Sequence, residues 1–194
     1  MKLTIDNIAK RFPFGVKVQH THFIEFGKKV ERVDSIESIS LDCISFKSSC
    51  DFYFNDEENE CDIKLILFHP CSLTKEITIN GETFVPLVEL AKKEFGDNYI
   101  SILGNYNNED SIGIYLTGRG DTGGDDPQYT YGRCVFCFDK KNISISFIDC
   151  NEVTHCSINS EYKIINKLLE WHIDIEGLID QNLAIDATIN NPYK

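Results

Sequence analysis

Two rhythms of apolar residues run through this chain. The first has a period of two and predicts half-buried strands. From Val16 to Phe26 the even positions read Val, Val, His, His, Ile and Phe. Gly27-Lys28-Lys29 turns the chain, and Val30 to Lys47 alternates again. There Ile36, Ser38 and Ser40 share one face and Ile39, Leu41 and Cys43 the other, which predicts one or two more strands. Ile63 to His69 is an almost unbroken apolar run closed by Pro70, the pattern of a buried strand. Tyr99–Leu103, Ile112–Thr117, Arg133–Asp139 and Ile143–Ile148 add four more. Lys140-Lys141-Asn142 joins the last two as a hairpin.

The second rhythm is helical. Thr4 to Phe12 reads as a short helix capped by Thr4 and stopped by Pro13. Val85 to Phe95 belongs to a helical face with apolar residues at 84, 87, 88, 90, 91 and 95. Pro86 sits in its first turn and Gly96 at its end. A helix is expected from Ser160 to His172 and a second from Asp174 to Asp180, through apolar positions 164, 165, 168, 169, 172 and 175. Ser72 to Ile77 predicts a helical turn, and Asn80-Gly81 a tight hairpin turn. The sum is an α+β fold of mainly antiparallel twisted sheet with a few helices, including a C-terminal helical segment. At 194 residues it is expected to be a single domain, 1–194, with an N-terminal lobe 1–97 and a C-terminal lobe 98–194 as its natural division.

Charge changes the picture more than size does. The net charge is −12, from 31 acids and 19 bases, and both halves of the chain share the excess. Such a surface repels phosphate backbones and anionic lipid, so direct nucleic-acid or membrane binding is not expected. No apolar run is long enough for a membrane helix, and Met1–Asp6 lacks the apolar stretch of a secretory leader. The eight cysteines lie mostly in strand-like runs (Cys134, Cys137, Cys150), where they act as small hydrophobes; a reducing cytosol is the expected location.

Two segments concentrate the acids. Asp51 to Asp62 carries six acids and no base, with Asp56, Glu57, Glu58 and Glu60 in a loop between strands. Gly118 to Pro127 is rich in Gly and Asp, and Arg119, Asp121, Asp125 and Asp126 stand in it. It lacks the Gly-Lys-Ser/Thr of a phosphate loop and the alternating ligands and closing Glu of a calcium loop. It is read as a surface loop, and functionally as a contact loop for a charged partner. These eight residues are the expected partner-binding positions.

Catalytic chemistry finds little support. Cys134 and Cys137 form a C-x-x-C inside a strand, whereas a zinc knuckle needs a tight turn and a redox pair a helix start. His20 and His22 share a strand face and make half a metal site. The other half would have to come from His69, Cys71, His155 or Cys156. His172 follows Trp171 near a helix end and is read as a core or capping residue. No nucleophile elbow or zinc-protease signature occurs. The expectation is a non-enzyme with no cofactor and no metal.

Three segments carry a family resemblance. They are Phe12-Pro13-Phe14-Gly15-Val16-Lys17-Val18; Leu73-Thr74-Lys75-Glu76-Ile77 with Gly81-Glu82-Thr83-Phe84-Val85-Pro86-Leu87; and Leu168-Leu169-Glu170-Trp171-His172-Ile173-Asp174 with Gly177-Leu178-Ile179 and Leu183-Ala184-Ile185-Asp186. Their order and spacing resemble an uncharacterised family of small proteins encoded by bacteriophages and prophages. Where the usual family form has Arg-Pro-Leu before the serine of the second segment, this chain has His69-Pro70-Cys71. The resemblance implies a phage accessory protein but no activity, cofactor or catalytic residue. With the acidic charge, it leads to the expectation of a counter-defence protein of the anti-CRISPR kind, one that binds and inhibits an RNA-guided nuclease through an acidic surface. The rival readings are a phage structural or assembly component and a metal-dependent enzyme using His20 and His22.

Overall fold

The structure is a computed structural model that describes residues 3–24, 28–48, 51–53, 62–95, 99–118, 131–140, 144–149, 155–157 and 161–194. The chain divides into two compact units: unit 1 is Met1–His69 with Leu168–Lys194, and unit 2 is Pro70–Lys167. The boundaries fall at 69/70 and 167/168 and not at 97/98. Unit 2 is thus an insertion within unit 1.

Unit 1 opens with helix α1 (Ile5–Ala9). Thr4 is its cap, and Asn7 reciprocates by accepting from the Thr4 backbone N–H at 3.0 Å, a capping box with Asn in the usual Glu position. Pro13 sits in a 3₁₀ turn (Phe12–Phe14), and Gly15, at φ +72°, supplies the left-handed exit that the chain needs there. Strand β1 (Lys17–Ile24) follows, then β2 (Lys28–Ile39), β3 (Cys43–Phe46), β4 (Asp51–Tyr53) and β5 (Ile63–Leu67). The β2–β3 register shifts between Ile36 and Ser38. This bulge spends one extra residue, so Ile36 and Ile39, three apart, both reach the core. The strict alternation expected over 30–47 breaks at that point. Leu41 then lies in the turn and is 88% exposed.

Unit 2 begins with a 3₁₀ turn (Pro70–Thr74), where a helical turn over 72–77 is expected from sequence. Strands β6 (Ile77–Ile79) and β7 (Glu82–Phe84) form a hairpin. Asn80 (φ +52°) and Gly81 (φ +83°) turn it, the two successive left-handed residues that a type I′ turn requires. Helix α2 (Pro86–Phe95) leads into β8 (Tyr99–Asn107), β9 (Ser111–Gly118), β10 (Tyr131–Asp139), β11 (Ser144–Asp149) and β12 (His155–Ser157). These make an antiparallel meander in the order β12-β11-β10-β9-β8. Helix α2 and the 3₁₀ turn pack on it, and Leu73, Leu87, Leu90 and Ala91 are buried with Ile112, Ile114 and Phe138. On the opposite sheet face Tyr106 pairs with Gly113, and Tyr115 with Gly104. The Tyr106 ring lies so close over Gly113 that a Cβ there would stand 2.5 Å from it. Burial, together with the neighbouring Cys137, pushes the Tyr106 phenol up to about 12.

Helix α3 (Glu161–Glu170) returns the chain to unit 1. The last strand, β13 (Ala184–Asp186), lies parallel to β5. It completes a six-stranded sheet of order β13-β5-β1-β2-β3-β4 whose other pairs are antiparallel. Val18, Ile36, Ile44, Phe46, Leu65 and Leu67 form its buried face, with Ile8, Leu178 and Ala184 in the same cluster. The whole is α+β and predominantly antiparallel. Among the described residues no helix is long and apolar enough to cross a membrane.

Candidate functional site

Three buried polar side chains of unit 1, Arg11, His172 and Asp174, gather where α3 ends. Trp171 caps that helix, and His172 follows in the left-handed region at φ +55°. Its N–H donates to Leu169 O at 2.9 Å, and the Ile173 N–H to Leu168 O at 2.9 Å. These two bonds are the Schellman pattern, with His172 in the place usually held by glycine. Leu168 and Ile173, both fully buried, supply its apolar contact. Phe68 then joins the two strand-like ends: its N–H donates to His172 O (2.8 Å) and its carbonyl accepts from Asp174 N (2.9 Å).

The expected second helix over 174–180 does not form. The Asp174 carboxylate, 1% exposed, accepts from the backbone N–H groups of Glu176 (3.3 Å), Leu178 (3.0 Å) and Ile179 (2.7 Å). Gly177, at φ +68°, lets the chain fold around it. Three donors converging on one carboxylate hold a turn instead of a helix. Glu176 points elsewhere. It takes Arg11 Nη1 at 2.7 Å, the Lys10 ammonium, and Asn7 Nδ2 at 3.4 Å. Arg11 is fully buried, and its Nη2 also donates to Ile173 O at 3.3 Å.

His172 is stacked on Tyr193, ring centroids 4.0 Å apart and planes 15° apart. Burial, reinforced by the positive charges of Arg11 and Lys17, pushes the imidazole down to about 4, so it is neutral at pH 7. Its Nδ1 has no hydrogen-bond partner among the described residues. The Tyr193 hydroxyl donates to Ile66 O (2.6 Å) and accepts from Lys17 N–H (3.0 Å). The β1–β5 ladder runs His20↔Ile63, Gln19↔Lys64, Val18↔Leu65. Lys17 and Ile66 would be its next pair, so the phenol is an inserted rung where the two strands part.

His20 lies at the other end of that ladder. Its ring is stacked on Phe46 (4.5 Å, 7°), and its Nε2 is 3.7 Å from Asp34 Oδ2. Asp34 itself accepts from Ser35 N at 2.8 Å and Ser48 N at 3.2 Å. Burial alone would raise that carboxyl; the hydrogen bonds of Ser48 and Ser35, with His20 nearby, outweigh it and hold it below the usual range. His69 follows Ile63 by six positions, so it lies roughly 20 Å along the strand from His20, and it faces Asp180 at 3.8 Å. The pairing of His20 with His69 is therefore not formed. His22 lies on β1 opposite Val30, and His155 and Cys156 on β12. Among the described residues no group of three or more His, Cys, Asp and Glu could hold a metal. Cys134 and Cys137 both lie within β10, three positions apart in extended backbone, as the sequence pattern predicts.

The eight expected partner-binding residues, Asp56, Glu57, Glu58, Glu60, Arg119, Asp121, Asp125 and Asp126, lie outside the described residues. His172 is buried at the helix end, as the sequence predicts; its meeting with Arg11, Asp174, Glu176 and Tyr193 in one polar knot is what the sequence pattern misses. Two segments far apart in sequence, Phe12–Val18 and Leu168–Asp174, meet in it. Phe12–Val18 supplies the Lys17 amide, and Leu168–Asp174 supplies the helix end and the buried carboxylate. These residues hold backbone in place. No family model matches the chain, and no curated protein or solved structure matches it either.

Proposed function

We propose that this chain is a phage accessory protein that docks on a basic, nucleic-acid-binding surface of a host defence protein and inhibits it, with an RNA-guided nuclease as the favoured target class. The observation that carries this reading is the net charge of −12. The buried acids of unit 1 are committed to backbone and to Arg11, whereas Glu31, Glu37, Asp42, Asp51, Asp62 and Asp180 are exposed, as are Glu76, Glu82, Glu109 and Asp110 in unit 2. Carboxylates in water attract lysine- and arginine-lined channels, and the attraction is screened by salt. The resemblance to phage-encoded proteins supports the biological setting. The test is a cleavage assay on a panel of guide-loaded nucleases, with and without the purified chain. Inhibition that weakens with added salt, and with Asp56→Asn, Glu57→Gln, Glu58→Gln and Glu60→Gln combined, is expected. Uninhibited cleavage across the panel, together with unchanged phage plating on cells expressing the chain, would sink the proposal.

A further inference from the structure

Asn80-Gly81 is the one Asn-Gly pair of the chain. Both residues are exposed, and a Cβ added at Gly81 would meet nothing within 4 Å. Their φ angles, +52° and +83°, carry the chain from Ile79 round to Glu82. Neither the Asn80 side-chain amide nor the Gly81 N–H has a hydrogen-bond partner among the described residues. Asn7, Asn107, Asn108, Asn182 and Asn191 differ on both counts. Each has a side-chain oxygen that accepts a hydrogen bond, and each is followed by a residue with a side chain. An exposed, unheld asparagine before a bare glycine can react with its own backbone. The glycine nitrogen, on losing its proton, attacks the asparagine Cγ, and ammonia leaves. The five-membered imide that forms then takes up one water at either of its carbonyls. Opening at the side-chain carbonyl gives aspartate. Opening at the main-chain carbonyl gives isoaspartate, with the backbone rerouted through Cβ and Cγ.

We infer that Asn80 is a self-modification site, converted in the folded protein to aspartate and isoaspartate, and that the isoaspartate form releases the β6–β7 hairpin. The hairpin rests on three pairs, Ile77↔Phe84, Thr78↔Thr83 and Ile79↔Glu82. The Thr78 and Thr83 hydroxyls lie 2.9 Å apart, and Ile77 and Ile79 are buried. A two-residue turn fixes that register. Isoaspartate adds an atom to the main chain inside the turn, so the two strands no longer meet in step. Aspartate keeps the hairpin, because Asp-Gly suits the same turn. The chemistry belongs to unit 2 and draws on no partner, so it is independent of the acidic-surface reading.

The test holds the full chain folded at mildly alkaline pH, which favours loss of the Gly81 amide proton, and in parallel unfolded in urea. Peptide masses follow every asparagine, and a protein isoaspartyl methyltransferase labels isoaspartate. In the folded chain Asn80 is expected to gain one mass unit ahead of every other asparagine, with isoaspartate at that position. Amide exchange over Ile77–Phe84 is expected to quicken in the fraction that carries it. Asn80→Gly, whose Gly-Gly pair also suits the turn, is expected to keep its starting exchange through the same incubation. Asn80 left intact in the folded chain after the unfolded chain has converted means that the turn shields it, and overturns the inference. Conversion of another asparagine at the same pace overturns it too. So does native exchange over Ile77–Phe84 in the isoaspartate fraction, or an equal rise of exchange in Asn80→Gly. If that variant does not fold, the parent chain decides alone.

Discussion

Replacing His172 by asparagine isolates the behaviour of one buried imidazole. Asparagine accepts the left-handed backbone at φ +55° better than other non-glycine residues and carries no titrating group. The folded protein holds His172 neutral, with its protonation pushed from 6.5 down to about 4. The unfolded chain takes up that proton below its ordinary 6.5, so acid favours unfolding. The stabilisation is whole above about pH 6.5 and is lost as pH falls towards 4, at up to about 1.4 kcal/mol per pH unit. The full shift corresponds to about 3 kcal/mol. Asp34, whose carboxyl is depressed below its ordinary 3.8, loses its contribution only at lower pH, and groups common to both chains, His20 among them, drop out of the parent–variant difference, so over 6.5 to 4.5 that difference reports His172. Urea unfolding read by Trp171 fluorescence, from pH 7.5 to 4.5, is the assay. At pH 7.5 the variant is expected to be about 1 kcal/mol less stable, having lost the stack on Tyr193. By pH 4.5 the parent has surrendered about 2–3 kcal/mol, and the order reverses. A parent–variant difference that stays constant across this range would refute the picture of a neutral imidazole held beside Arg11 and Lys17.

Other substitutions probe the remaining parts. Asp174→Ala strips three backbone N–H groups of their acceptor and should cost about 2–4 kcal/mol in unit 1, seen as a lower urea midpoint by Trp171 fluorescence. Glu176→Gln leaves the Arg11 guanidinium buried without its counter-charge, a loss on the order of 2–4 kcal/mol, whereas Arg11→Met, which removes the buried charge, should cost less; calorimetry of the two variants ranks them. Gly113→Ala drives a methyl into the Tyr106 ring and should cost about 1–3 kcal/mol, and Tyr106→Ala in the same chain should recover part of it, a non-additivity that thermal melts of the four chains measure.

Much of the fold is legible in the sequence because it depends on neighbours a few residues away. Thr4 caps α1 through Asn7, Asn80-Gly81 turns its hairpin, and the alternation through Val16, Val18 and His20 sets the buried face at the start of β1. The failures have physical causes that local pattern does not carry. The extra residue at Glu37 breaks the alternation of β2. The stretch 174–180 has helical spacing, but Asp174 captures the amide groups that a helix would use, and Gly177 permits it. Strand β13 is three residues long, and its parallel pairing with β5 depends on residues 119 positions away in the Ala184↔Leu65 pair. The polar knot is the extreme case: Tyr193 takes its partners 176 and 127 residues upstream. Periodicity says nothing of such meetings.

The insertion of unit 2 between β5 and α3 sets an order of events during synthesis. Strands β1 to β5 leave the ribosome first, yet β5 has no neighbour on its outer side until β13 is made. At ordinary elongation rates the intervening chain takes on the order of ten seconds. Unit 2 is contiguous and can complete its meander within that interval. Unit 1 can close only afterwards, when Ile173 meets Phe68 and the inserted phenol bridges Lys17 and Ile66. For that period the apolar Ile63–Leu67 strand stands with one edge open, the arrangement most prone to pairing with a wrong strand. The part of the molecule translated first is thus the last to be finished.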